Sequence, residues 1–325
     1  MQSRRRRELG CGLICLIALL FTSCQSPETG ATRSRAARRS PAQPPHLDSV
    51  VRVFEGKGAR ETTLWKMLDR LAEAEVVFLG ETHVDETTHR VEAAVLEGLI
   101  ARRDGRVVLA MEMFERDVQP IIDRYLAGEI DEAEFLKSSR PWRNYRTGYR
   151  PLIEAAKRQG LPVVAANIPA SLRRKIGRGG KEAFEGLTDE ERGWAPAELH
   201  LSGDPYWKRF ERVVRGHLSG MFGGDLEKLV YSGQSLWDNT MGESCALALE
   251  RHPGRLLLHV NGGFHTGYRQ GTVEQLLARR PGTRVRTITV VPVKDLAGID
   301  PEPEDERADY VIYAAERARG VSEGT

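Results

Sequence analysis

Beyond residue 46 the apolar positions follow two rhythms. Near-continuous apolar runs at residues 76–80, 107–111, 163–166, 256–260 and 285–291 lack the alternation of a half-exposed strand and predict strands covered on both faces. Between the first two, Val91, Ala94, Val95, Gly98 and Leu99 recur every three or four residues, the stripe of an amphipathic helix. Residues 151–159 read as another helix, stopped by Gly160. This order predicts an α/β fold, a doubly wound, mostly parallel sheet with right-handed crossovers, and residues 309–314 as a further strand at its edge. Residues 178–250 depart from the rhythm. A glycine-rich, charged loop at 177–180 leads into helical patterns around 206–218 and 234–249, read as a helical excursion packed over the sheet. A lid over a pocket and an inert insertion both fit it.

The first 46 residues are built differently. Arg4 to Arg7 precede a mostly apolar stretch over 9–23, shorter than the about 20 residues that span a bilayer and characteristic of an export signal. It closes on Thr22, Ser23 and Cys24. Small residues before a cysteine resemble the bacterial lipoprotein cleavage box, which implies that residues 1–23 are removed and Cys24 is lipidated. Residues 24–46 are rich in Ser, Thr, Ala, Arg and Pro and cannot bury enough surface to fold. They predict a flexible tether reaching roughly 25 Å, with residues 47–325 as a single domain. Gln25 after the cysteine implies the periplasmic face of the outer membrane in a two-membrane cell. Cys11 and Cys15 would leave with the signal, so Cys245 would remain without a disulfide partner.

Charge supports this division. The whole chain is +2, but Arg4–Arg7, Arg33, Arg35, Arg38 and Arg39 place the excess in the leader and tether, leaving the body net acidic. That argues against nucleic acid as a partner. With 29% charged and 40% hydrophobic residues, the composition is that of a globular chain rather than a disordered or collagen-like one.

Chemistry clusters where the apolar runs end. The first run leads into Glu81 and His83, the second into Glu112, the third into Asn167, and the fourth into Asn261, Gly262, Gly263 and His265. Ligands of open α/β sheets bind outside the carboxyl ends of the strands, so these residues are candidates for one site. A charged residue directly after a buried strand is costly unless paired or coordinated. Glu81, His83, Glu112 and His265 would supply two carboxylates and two imidazoles to a divalent metal ion with an open position for activated water. Thr82 and Asp85 read as helix-capping chemistry, Glu115 as first-turn chemistry, and His89 as a histidine of the following helix that either faces the cleft or, the favoured reading, sits at the surface. A second group, Arg140, Trp142, Arg143, Tyr145, Arg146, Tyr149 and Arg150, interleaves aromatics with guanidiniums and suits a planar anion. A loop anchored by Trp142 fits it equally, and Tyr149 is a candidate oxygen ligand for ferric iron.

Together, residues 76–83, 111–114 and 261–265, with Gln234 to Met241 in a later helix, resemble the ChaN-like haem-uptake lipoproteins, in the superfamily of the Tiki proteases and erythromycin esterases. The resemblance runs over about residues 60–292. It implies a membrane-anchored haem-binding protein working with iron-uptake components. The chain lacks a Cys-x-x-Cys-His motif, so haem would be held non-covalently. His83, His265 and Tyr149 are the axial-ligand candidates, and Arg146 and Arg150 the propionate partners. Haem shared between two protomers would require a homodimer, which a single chain leaves open. The competing expectation is a metal-dependent hydrolase, a protease or esterase, using Glu81, His83, Glu112 and His265.

Overall fold

The computed structural model describes residues 47–214, 226–301 and 306–316. The expected leader, tether and Cys24 lie outside them. Eight strands form one sheet: β1 (Val51–Glu55), β2 (Glu61–Thr62), β3 (Val76–Glu81), β4 (Val107–Glu115), β5 (Val163–Asn167), β6 (Leu256–Gly262), β7 (Val285–Val293) and β8 (Tyr310–Ala315). Their order is β2-β1-β8-β7-β3-β6-β4-β5. Every pairing from β8 to β5 is parallel, and β1 and β2 add an antiparallel flank.

Helices cover both faces. On the first lie α1 (Leu64–Leu71), α2 (Glu86–Arg102), α3 (Gln119–Leu126), α4 (Glu132–Ser139) and α5 (Arg150–Gln159), packed on Val77, Leu79, Leu109, Met111 and Leu258. The connections after β5 supply α6 (Ala170–Glu185), α7 (Asp189–Trp194), α8 (Asp204–Val214), α9 (Leu226–Val230), α10 (Gly233–Arg251) and α11 (Thr272–Arg279). Of these, α10 and α11 pack on Val76, Phe78, Val108 and Leu257 of the second face. The two helices approach so closely that a Cβ on Gly242 would stand 2.4 Å from Gln275 Cβ and 2.8 Å from backbone.

The chain steps outward from β3 to β4 to β5 with helices on one face. It then returns through β6, β7 and β8 with helices on the other. Because β6 inserts between β3 and β4, the carboxyl ends of β3, β6 and β4 are neighbours, and their onward helices leave toward opposite faces. This is the switch-point geometry at which α/β sheets bind ligands.

The five apolar runs are strands, as the pattern predicts. Three details differ. The C-terminal strand β8 is internal, because the short strand β1, whose signal is only five residues long, pairs along its outer side. Residues 177–180 lie within α6 rather than a loop, with the backbone breaking at Gly180 (φ 57°, ψ −138°). The 178–250 excursion is no simple cover: Met241, Cys245, Ala246 and Ala248 of α10 are core. Burial pushes the Cys245 thiol up, which makes it inert.

Candidate functional site

At the end of β3, Glu81 is buried and His83 half-buried. His83 Nδ1 donates to Glu81 Oε1 at 2.8 Å, and the Tyr149 hydroxyl donates to the same oxygen at 2.8 Å. Asp85, at the N-cap of α2, accepts from Thr88 N at 2.7 Å and is the helix cap. Asn144 Nδ2 donates to the His83 carbonyl at 2.6 Å, and the Trp142 ring meets the His83 ring edge-to-face at 4.9 Å. The carboxylate–imidazole pair engages Nδ1 and leaves Nε2 beside Gly262, the arrangement that prepares a histidine for a metal.

From β4, Glu112 accepts the Gly262 N–H at 2.7 Å through Oε2, while Oε1 lies 3.8 Å from His265 Nε2. A Cβ on Gly262 would stand 2.8 Å from His83 Nε2. Glycine is therefore required where β6 passes beneath the imidazole. His83, Glu112 and His265, far apart in sequence, meet at one mouth.

Behind His265, Nδ1 donates to Asp238 Oδ1 at 2.8 Å, and Thr272 Oγ1 donates to the same oxygen at 2.8 Å. The Tyr206 hydroxyl donates to Asp238 Oδ2. Trp237 closes on the His265 ring edge-to-face at 6.0 Å, and Arg173 stacks over Trp237 at 4.2 Å. The turn beyond is strained: Tyr268 (φ 63°) and Arg269 (φ 57°) are both left-handed. Arg209 braces it by donating to the Phe264 carbonyl at 2.9 Å. Such strain gathers at functional sites.

Electrostatics favour the charged form of both imidazoles at the mouth. Burial lowers the His83 pKa, but the Glu81 hydrogen bond and the Glu112 charge outweigh it and the net shift is upward. For His265 burial again opposes, yet Asp238 and Glu112 push it up to about 9.

A deeper cluster lies under Glu81. His89 Nδ1 stands 3.4 Å from Glu81 Oε2 and 3.3 Å from Glu92 Oε2. The expectation of a surface His89 is corrected: α2 turns it inward, and 4% of it is exposed. Among the described residues, Glu81, His89 and Glu92 are the trio whose ligand atoms all lie within 4.8 Å of one another. Of the expected four-residue metal set, three members face one another at the mouth and Glu81 stands behind them. Glu81 turns one oxygen to His83 and Tyr149 and the other inward, so the mouth retains His83 Nε2, Glu112 Oε1 and His265 Nε2.

Other candidates take structural roles. Tyr149 is fully buried, and burial together with the Glu81 charge pushes its phenol far up, so it orients Glu81 instead of presenting a phenolate to iron. Arg150 is held by Glu132 at 2.6 and 2.9 Å, and exposed Arg146 acts on the same carboxylate. Asn167 donates to the Glu112 carbonyl at 3.0 Å. Glu115 accepts from Ala170 N at 3.0 Å, serving the start of α6 rather than the turn that follows β4.

The sequence matches the family described as haem-binding uptake, Tiki superfamily, ChaN over residues 67–276. The chain belongs to this ChaN family. Its fold agrees. ChaN of Campylobacter jejuni, described as binding haem cofacially, superposes with a TM-score of 0.59 at 15% identity, covering 82% of this chain and 97% of that one. An erythromycin esterase mutant, EreC, reaches 0.45 at 13% identity over 82% of this chain and 83% of its own. The type III effector HopBA1 reaches 0.45 at 10% identity over 77% and 92%. These last two are too distant to carry an argument. No curated protein matches the sequence. Among the described residues, no helix of this ChaN-family chain is long and apolar enough to cross a membrane.

Proposed function

We propose that this ChaN-family protein binds haem non-covalently at the mouth formed by β3, β6 and β4, and that His83 Nε2 is the axial ligand. Membership of a haem-binding family supplies the ligand class. The observation that carries the assignment is the His83 geometry: Nδ1 is held by Glu81 at 2.8 Å, and its side chain is 38% exposed. His265 is the weaker candidate, being buried and engaged by Asp238. Trp142 and Trp237 flank the two imidazoles and suit a planar ring. Arg173, stacked on Trp237, is the guanidinium beside them that suits a propionate.

The leader pattern supports a lipid anchor at Cys24 and a place in iron uptake at the cell envelope, at the periplasmic face of the outer membrane, with a homodimer as the form in which haem could be shared. Titrating the purified protein with hemin tests the central claim. A saturable Soret shift that His83→Ala weakens by at least about ten-fold is expected. A non-saturating change would overturn it. Hydrolysis of peptides or esters by a metal-loaded form would then favour the second reading, supported by His83, Glu112 and His265 converging at the mouth.

A further inference from the structure

We propose a second, inner site for a divalent first-row transition ion, held by Glu81, His89 and Glu92 and separate from the haem mouth. The three side chains come from the end of β3 and the first two turns of α2. Both carboxylate side chains are 0% exposed. Their nearest oxygens share His89 Nδ1 at 3.4 and 3.3 Å, separations close to the edge of a ligand tetrahedron drawn around an ion at about 2.0–2.1 Å. Glu92 Oε1 and Glu81 Oε2, both buried, have no hydrogen-bond donor.

Two buried carboxylates facing one another are costly unless a proton or a cation lies between them, and burial beside Glu81 holds the Glu92 carboxyl well above the usual carboxylate range. Among the described residues, His83 meets only the other oxygen of Glu81, at 2.8 Å, and stands outside the inner trio. Asp85 adds negative charge to Glu92 from the helix N-cap, and Tyr149 offers a neutral hydroxyl, already donated to Glu81 Oε1. A divalent ion would neutralise both carboxylates and leave a fourth position for water. An O2N donor set of this kind suits zinc or manganese and lacks the thiolates that favour softer ions.

Access is built in. A cavity of about 330 Å3 is lined by Leu47, His89, Arg90, Gly148 and Pro151. A Cβ on Gly148 would stand 2.8 Å from His89 Nε2. The imidazole therefore forms the partition between this cavity and the carboxylates, and its rotation would admit an ion. Glu81 is the link to the mouth, one oxygen turned to the inner trio and the other to His83.

The full chain, stripped with a chelator and reloaded with Zn2+ or Mn2+, tests the site. After dialysis one ion per chain should be retained by elemental analysis, with a rise in Tm. Glu92→Gln and His89→Gln should each weaken retention by more than about ten-fold, while Glu112→Gln keeps the ion. Hemin stoichiometry should be unchanged in Glu92→Gln, which separates this site from the haem reading. Two results would overturn the proposal. One is no retained ion in a wild-type protein that still binds hemin, with Glu92→Gln at least as stable, which would mean a proton joins the carboxylates. The other is loss of the ion in Glu112→Gln, which would move it to the mouth.

Discussion

At the scale of single residues, the site is a set of carboxylates each assigned an imidazole. Glu81 faces His83, and Asp238 and Glu112 face His265. The second pair has a measurable consequence. His265 is pushed up to about 9 in the folded protein, above the about 6.5 of an unfolded chain. A folded-state pKa raised in this way stabilises the protein fully below pH ~6.5, and the contribution fades as pH rises through about 9. Denaturant titrations across that window should show a loss on the order of 3 kcal/mol, and Asp238→Asn should flatten the slope. His83 is raised as well. Because only neutral imidazole ligates iron, hemin affinity should increase with pH until that ring is deprotonated, and a pH series of Soret titrations measures it. Gly262→Ala should displace the ring, altering the haem spectrum far more than the Tm.

Elements place these groups by ordinary local rules. Helix α2 starts where Asp85 caps it, and its buried face carries His89 and Glu92 alongside Val91, Val95 and Leu99. Asp85→Ala should lower stability by about 1 kcal/mol, as loss of an N-cap does, read by thermal or chemical unfolding. Where α10 crosses α11, a larger residue at Gly242 would collide with Gln275 and backbone. Gly242→Leu should cost on the order of 2 kcal/mol or more and, by moving α10, disturb Asp238 behind His265. A near-normal melting profile for that variant would show that the crossing can relax.

For the molecule as a whole, the decisive feature is the return of the chain through the middle of its own sheet. Inserting β6 between β3 and β4 makes three distant segments converge, and it places the helices that follow them on opposite faces. The folded domain would be tied to a membrane surface if Cys24 carries a lipid. In that case the protein should partition into detergent, and Cys24→Ala should move it to the aqueous phase.

Much of this was legible in one dimension. The five strands announced themselves because a strand covered on both faces must be apolar throughout, and the residues that end such a run stand out by contrast. Glu81, His83, Glu112 and His265 are visible for that reason. Glu92 carried a signal too, since it lies three and seven residues before Val95 and Leu99 on the buried stripe, where an unpaired charge has no place. Other features had no local trace. The aromatic and arginine segment 140–150 reads the same whether its guanidiniums meet a ligand or Glu132. Tyr149 reads the same whether its hydroxyl meets iron or Glu81. Tyr206, Arg173 and Thr272 reach the site from other helices. What the sequence determined by itself was periodicity and chemical type, which depend on neighbours along the chain. The tertiary structure decided which carboxylate each imidazole meets and which way Glu81 divides its oxygens, because strand order and helix crossing bring together groups separated by up to two hundred residues.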